Sequence, residues 1–220
     1  LIDKIIKNLN DKKYLPTYNE VEYVFQNSNY QLWLDYINNE ESMVYELLNR
    51  DYIKALADYI IKNYTCINNL TVLEAGAGNG KLTHFLKERI NSLNIKDINF
   101  IATDSGDWNI KPIFSVEQIN INEALNKYNP EVVLFSWMPY KIDYTQIIRN
   151  CESVNEYILI GESDYGCCGN SWLTWGADNY EDKYEEKPYI KDGFNRKDLI
   201  YLKELQICRT DTPNNFNHSS

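Results

Sequence analysis

Glu74 ends an apolar run, Leu70-Thr-Val-Leu-Glu74, and is followed by Gly76, Gly78 and Gly80 at alternate positions. Glycines so placed let the chain turn sharply and bring backbone N–H groups against a ligand. An acid just before such a turn can meet a cationic or hydroxyl-bearing group. A second acid, Asp104, closes the run Asn99-Phe-Ile-Ala-Thr-Asp104. An acid at such a strand tip is placed to accept hydrogen bonds from both hydroxyls of a ribose. Ser105-Gly-Asp-Trp108 follows it and can wrap a nucleoside. Trp108 then serves as a stacking face or, equally, as a core or lid aromatic.

Spacing separates this loop from two others. A P-loop needs Gly-x-x-x-x-Gly-Lys-Ser/Thr; Gly76 to Gly80 is one residue short, and Leu82 stands where the hydroxyl belongs. A dinucleotide fingerprint needs Gly-x-Gly-x-x-Gly; here the third glycine comes one place early and position 81 is Lys. The pyrophosphate reading is therefore the weaker one. Glycines in a strand–helix turn can also simply permit close packing. An acid followed by Gly-x-Gly-x-Gly resembles motif I of the class I S-adenosylmethionine-dependent methyltransferases. The resemblance runs over residues 70–165 and implies S-adenosylmethionine as cofactor. Its implied binding set is Glu74, Gly76, Ala77, Gly78, Gly80, Asp104, Ser105, Trp108 and Ser136.

Ser136-Trp-Met-Pro-Tyr140 occupies the slot of that family's motif IV. Amine-methylating members carry Asp/Asn-Pro-Pro-Tyr/Phe there. Ser136 in place of the Asp/Asn, and Trp-Met in place of the first proline, speak against a nucleobase or glutamine acceptor. Trp137 and Tyr140 can form an aromatic wall for a flat or cationic substrate, or plug the strand end. Methyl transfer is an in-line displacement, so orientation of the nucleophile does most of the work, helped by a general base for some acceptors. Glu162 and Asp164 lie one residue apart beyond the next strand. If extended, they point the same way as a base or cation clamp; surface carboxylates after a strand are the plainer alternative. The catalytic set implied is Trp137, Tyr140, Glu162 and Asp164, with no metal. A non-catalytic binding or scaffold relative, and a dinucleotide-dependent oxidoreductase, remain the alternative readings.

The elements that must position these residues alternate as strand and helix from residue 70, which predicts an α/β fold with an open, mostly parallel doubly wound sheet. Strands are expected at 70–75, 98–103, 112–115, 131–136, 156–162 and 203–209, and helices at 80–92, 121–128, 143–151 and 194–201. Asn120 is a candidate N-cap. Residues 1–66 read as a helical N-terminal cap and 67–220 as one Rossmann-like domain. Within the cap, Asn39–Ile61 carries apolar residues at three- and four-residue steps, including Val44, Leu47, Leu48, Ile53, Leu56, Tyr59 and Ile60. Tyr30 and Trp33 are candidates to line the substrate side. The closing hairpin of the methyltransferase fold is expected to be short, with 202–209 as its first strand and little to form its second. Residues 163–193, with Trp172 and Trp175, read as an ordered lid, and 180–187 as solvated and mobile.

A net charge of −10 disfavours a broad phosphate-binding surface. The partner expected is thus an unidentified methyl acceptor, a small molecule or protein rather than nucleic acid. Five cysteines without C-x₂-C pairs and two histidines suggest neither a disulfide framework nor a metal site. Without a secretory signal or a long apolar run, no membrane is implicated and the protein reads as intracellular. The chain opens on Leu1 rather than Met and closes on a polar stretch, as a fragment would.

Overall fold

The computed structural model describes residues 11, 13–27, 30–38, 45–64, 66–177 and 185–211. Five strands build the sheet: β1 (Leu70–Ala75), β2 (Ile98–Asp104), β3 (Glu117–Gln118), β4 (Val132–Ser136) and β5 (Glu156–Ile160). Every pairing is parallel and the order is β3-β2-β1-β4-β5. This is an α/β fold consistent with a Rossmann-like arrangement, whose strand order reverses beside β1. Among the described residues, no helix is long and apolar enough to cross a membrane.

Both faces of the central strands are buried, as their continuous apolar sequences require. Helices α3 (Arg50–Tyr64) and α4 (Lys81–Ser92) cover one face. There Tyr52, Ile53, Leu56, Leu82, Phe85 and Leu86 pack with Leu70, Val72, Phe100, Val132 and Leu134. Helices α5 (Ile121–Tyr128) and α6 (Thr145–Arg149) cover the other, where Ala124, Leu125 and Ile148 meet Leu73, Ala75, Val133 and Phe135. Tyr59 Oη donates to Glu156 at 2.5 Å, and Tyr64 Oη donates to the same carboxylate, tying α3 to the start of β5.

Caps explain where several helices begin. Asn120 caps α5 as expected, its side chain accepting from Glu123 N at 3.0 Å. The stretch read as one helix from Asn39 instead starts α3 at Arg50, because Asn49 Oδ1 accepts from Tyr52 N at 2.9 Å. Leu47 and Leu48 precede the helix, and Leu47 N donates to Ile207 O at 2.8 Å. Val44 lies outside the described residues. Upstream, α1 (Tyr18–Asn27) and α2 (Tyr30–Ile37) contribute Val21, Phe25 and Ile37 to a third cluster with Leu47 and Ile207. The side chains of Tyr30 and Trp33 are outside the described set.

Other boundaries differ from expectation. The strand predicted at 112–115 is a turn; Ile113 and Phe114 donate their N–H groups to Asn79 O, and β3 forms at Glu117–Gln118. The expected helix 194–201 shrinks to α8 (Ile200–Lys203), after a short α7 (Pro188–Lys191). The strand predicted at 203–209 is largely the end of α8 and a turn. Its extended remnant is the antiparallel bridge between Cys208 and Glu46.

Candidate functional site

A cavity of about 830 Å³ opens at the carboxyl ends of β1, β2 and β4, where open α/β sheets place their ligands. Glu74, Gly76, Ala77, Gly78, Asp104, Ser105, Trp108, Ser136, Trp137 and Tyr140 all line it. Most of the residues singled out from sequence therefore converge on one space, although they come from three strand tips.

The β1 tip is organised by acids rather than by open amides. Glu74 lies on the α3/α4 face and is 2 % exposed. One of its carboxylate oxygens accepts from Thr83 N at 3.0 Å, in the first turn of α4, where the helix field favours negative charge. Burial nevertheless pushes its pKa up to about 7, and nearby Asp104 adds to the rise. Asp104 clamps the glycine loop from β2: Oδ2 accepts from Gly78 N and Oδ1 from Gly106 N, each at 2.8 Å. Three further N–H groups of the loop are similarly engaged. Ala77 N donates to Thr103 O, Gly80 N to Ala77 O, and Lys81 N to Asn79 Oδ1. The expectation of bare N–H groups facing a ligand is thus corrected for Gly78 and Gly80.

Gly80 departs from the binding set as well, since it does not line the cavity. At φ +78° an added Cβ would sit 2.7 Å from Val116 Cγ2, so this glycine permits close packing. Gly78, which does line the cavity, would place a Cβ 3.5 Å from Ile110.

At the β4 tip Trp137 adopts φ +55°, a costly conformation for a bulky residue that recurs at functional sites. Its N–H donates to Ile160 O at 2.7 Å, and its ring lies 5.7 Å from that of Tyr45. Tyr140 is 61 % exposed at the cavity mouth and Trp108 is 56 % exposed, as faces that await a stacking partner would be.

Glu162 and Asp164 do not reach the cavity. Asp164 sits at φ +57° in a turn rather than in an extended segment. It pairs with Arg196 at 2.5 Å, and that guanidinium holds its carboxyl below the usual range. Glu162 accepts from Cys167 N at 3.1 Å and from the Thr210 hydroxyl. Both acids fasten loops. The two tryptophans of the expected lid lie away from the cavity: Trp175 is buried, its Nε1 donating to Cys168 O at 2.7 Å, and neither Trp172 nor Trp175 lines the cavity, although Cys167 of the same segment does. Residues 180–184 of the stretch read as mobile fall outside the described set.

The sequence reading missed the wall opposite the glycine loop. Tyr14, Leu15, Pro16, Tyr45, Glu46 and Arg209 complete the cavity there. Glu46 arrives through its bridge to Cys208. Its Oε2 is buried without a partner at hydrogen-bond geometry, as are Trp137 Nε1 and Gln206 Oε1. Burial pushes the Glu46 pKa up to about 7 against the pull of Trp137 and Gln206, with Asp211 adding to the rise. Arg209 stands over the Tyr45 ring at 5.1 Å and donates to Asn38 Oδ1 at 2.9 Å. No local pattern around Tyr45-Glu46 marks it, because only the tertiary bridge brings it to the cavity. At the rim, desolvation and the Glu162 carboxylate push the Cys167 thiol up to about 11, which keeps it protonated. Among the described residues, no group of three His, Cys, Asp or Glu is arranged to hold a metal ion. The chain matches no protein-family model and no curated protein sequence.

Proposed function

We propose that this protein is an S-adenosylmethionine-dependent methyltransferase of the class I type, with the segments preceding β1 acting as a cap over the acceptor side. One observation carries the reading: acids line the cavity at the glycine loop, while the amides of Ala77, Gly78 and Gly80 are spent inside the protein. Glu74, Asp104 and Asp107 line the cavity on this side, against Lys81. A dinucleotide carries two phosphates that need open N–H groups or cations. A donor with a sulfonium, an ammonium and a ribose suits carboxylates.

The bound donor would supply an electrophilic methyl group. Asp104 retains lone pairs beside those that hold Gly78 and Gly106, and accepts from the ribose hydroxyls. Glu74 lends negative potential where the donor's ammonium would lie, and that cation would draw its carboxyl toward ionisation. Trp108 stacks on the adenine, while Ser136 and Trp137 border the reacting centre and help exclude water. Orientation by these groups supplies the main rate gain. The acceptor favoured is a small molecule or protein.

A thermal-shift panel tests the reading, since a ligand that binds the folded state raises the midpoint by linkage. S-adenosylmethionine and S-adenosylhomocysteine are expected to raise it while NAD(H) and NADP(H) leave it unchanged. The reverse pattern would replace the proposal with an oxidoreductase.

A further inference from the structure

The geometry points to Glu46 as the group that receives the methyl acceptor, and to an amine entering as an ammonium ion as that acceptor's class. The inference rests on the donor reading above and concerns the other half of the same cavity. Three observations carry it. Glu46 lines the cavity with Oε2 buried and, although Trp137 and Gln206 draw on the carboxyl, without a partner at hydrogen-bond geometry, a state that a well-placed donor would relieve. Beside it, the Trp137 ring lies tilted at 5.7 Å from that of Tyr45, which already carries the Arg209 guanidinium; the Trp137 ring offers a face able to border a cation. Trp137 follows directly on β4, whose tip adjoins that of β1, so this corner is next to the place where the donor's methyl would lie.

The charges around Glu46 fit a cation as well. Asp211, on the C-terminal segment, acts on Glu46 as a second negative charge. Arg209, from the same segment, is engaged by the Tyr45 ring and Asn38. A neutral alcohol could accept the Trp137 N–H but would leave the carboxylate's charge uncompensated. An ammonium group satisfies Glu46 and draws on the Trp137 face at the same time.

The step balances. The ammonium gives one proton to the ionised Glu46 carboxylate and becomes a neutral amine. Its lone pair forms the N–C bond to the methyl carbon as the C–S bond breaks, and sulfur keeps that bonding pair. The product leaves as a methylammonium ion, and Glu46 returns its proton to solvent. A carboxyl with a pKa of about 7 is matched to that exchange near neutrality.

The test uses the whole chain and two probes, phenethylamine and its oxygen counterpart 2-phenylethanol, titrated with and without saturating S-adenosylhomocysteine. Glu46→Gln keeps the shape and removes the charge; Glu46→Asp keeps the charge and shortens the reach. Both variants are checked for an intact melting transition and intact S-adenosylhomocysteine binding. The wild type is expected to prefer the amine, and Glu46→Gln to lose about tenfold in amine affinity with alcohol binding unchanged, as for loss of a charge-assisted hydrogen bond. Glu46→Asp retains part of the preference. Amine binding by the wild type weakens as pH falls below about 7, and that dependence disappears in Glu46→Gln. Tight S-adenosylhomocysteine binding with no amine preference, or a preference that survives Glu46→Gln, overturns this inference and leaves the donor reading standing. No S-adenosylhomocysteine binding overturns the donor reading and, with it, the transfer step.

Discussion

The two walls of the cavity are built on opposite terms. On the glycine-loop side the two acids are already engaged: both Asp104 oxygens hold backbone N–H groups and Glu74 accepts from Thr83 N in the first turn of α4. On the Trp137 side, Glu46 Oε2 and Trp137 Nε1 are buried without partners, and Trp137 holds a left-handed backbone. The hydrogen bonds of the first wall are made before any ligand binds, which suits the constant cofactor proposed above. The second stores unsatisfied polarity that a ligand can discharge, as a selective site should. Preorganisation and specificity are thus divided between two faces of one space.

Breaking the loop-side wall gives the largest expected effect. Asp104→Ala removes two N–H acceptors and the proposed ribose contact, and is expected to weaken S-adenosylhomocysteine binding about a hundredfold, read by calorimetry. An unchanged affinity would remove Asp104 from the site.

Next comes the pH dependence of stability. The folded pKa of Glu74 lies at about 7, above its ordinary 4.5. The native state therefore holds a proton that the unfolded chain releases, and stability falls as pH rises from 4.5 to about 7. The fall attributable to Glu74 is about 3 kcal/mol, and Glu46 acts in the same direction. Urea unfolding across that range should show a markedly shallower decline in Glu74→Gln than in the wild type.

Glycine substitutions sharpen the same boundary. Gly80→Ala meets both a left-handed φ and Val116 at 2.7 Å, and is expected to destabilise by about 2 kcal/mol with little change in donor affinity. Gly78→Ala has room for its Cβ but keeps φ +52° and costs about 1 kcal/mol. Because Gly78 lines the cavity, its variant should lose affinity as well. The pair is compared by unfolding and ligand titration together.

The smallest effect belongs to Asp164→Asn. Its partner Arg196 is reached across a partly exposed turn, so the loss should be at most about 1 kcal/mol of stability, with donor and acceptor binding intact.

The same division governs what could be seen in the sequence. The loop-side wall comes from neighbouring residues on one strand–turn–helix unit and the next strand tip, so spacing alone placed Glu74, Gly78 and Asp104 together. The apolar runs of β1, β2, β4 and β5 were legible for the same reason, as was the Asn120 cap. Glu46 was not, because a contact with Cys208, far along the chain, carries it to the cavity. Leu47 and Leu48 kept helical spacing while the Asn49 cap set the helix start after them. Ile113 and Phe114 looked like a strand, yet their N–H groups are held by Asn79 O. Glu162 and Asp164 looked paired until a left-handed turn sent Asp164 to Arg196.

The most direct test of the central claim is isothermal titration of the folded chain with S-adenosylhomocysteine. One-to-one binding in the micromolar range, with no heat from NAD(H), is the result predicted. A folded sample that gives no heat with S-adenosylhomocysteine would contradict it.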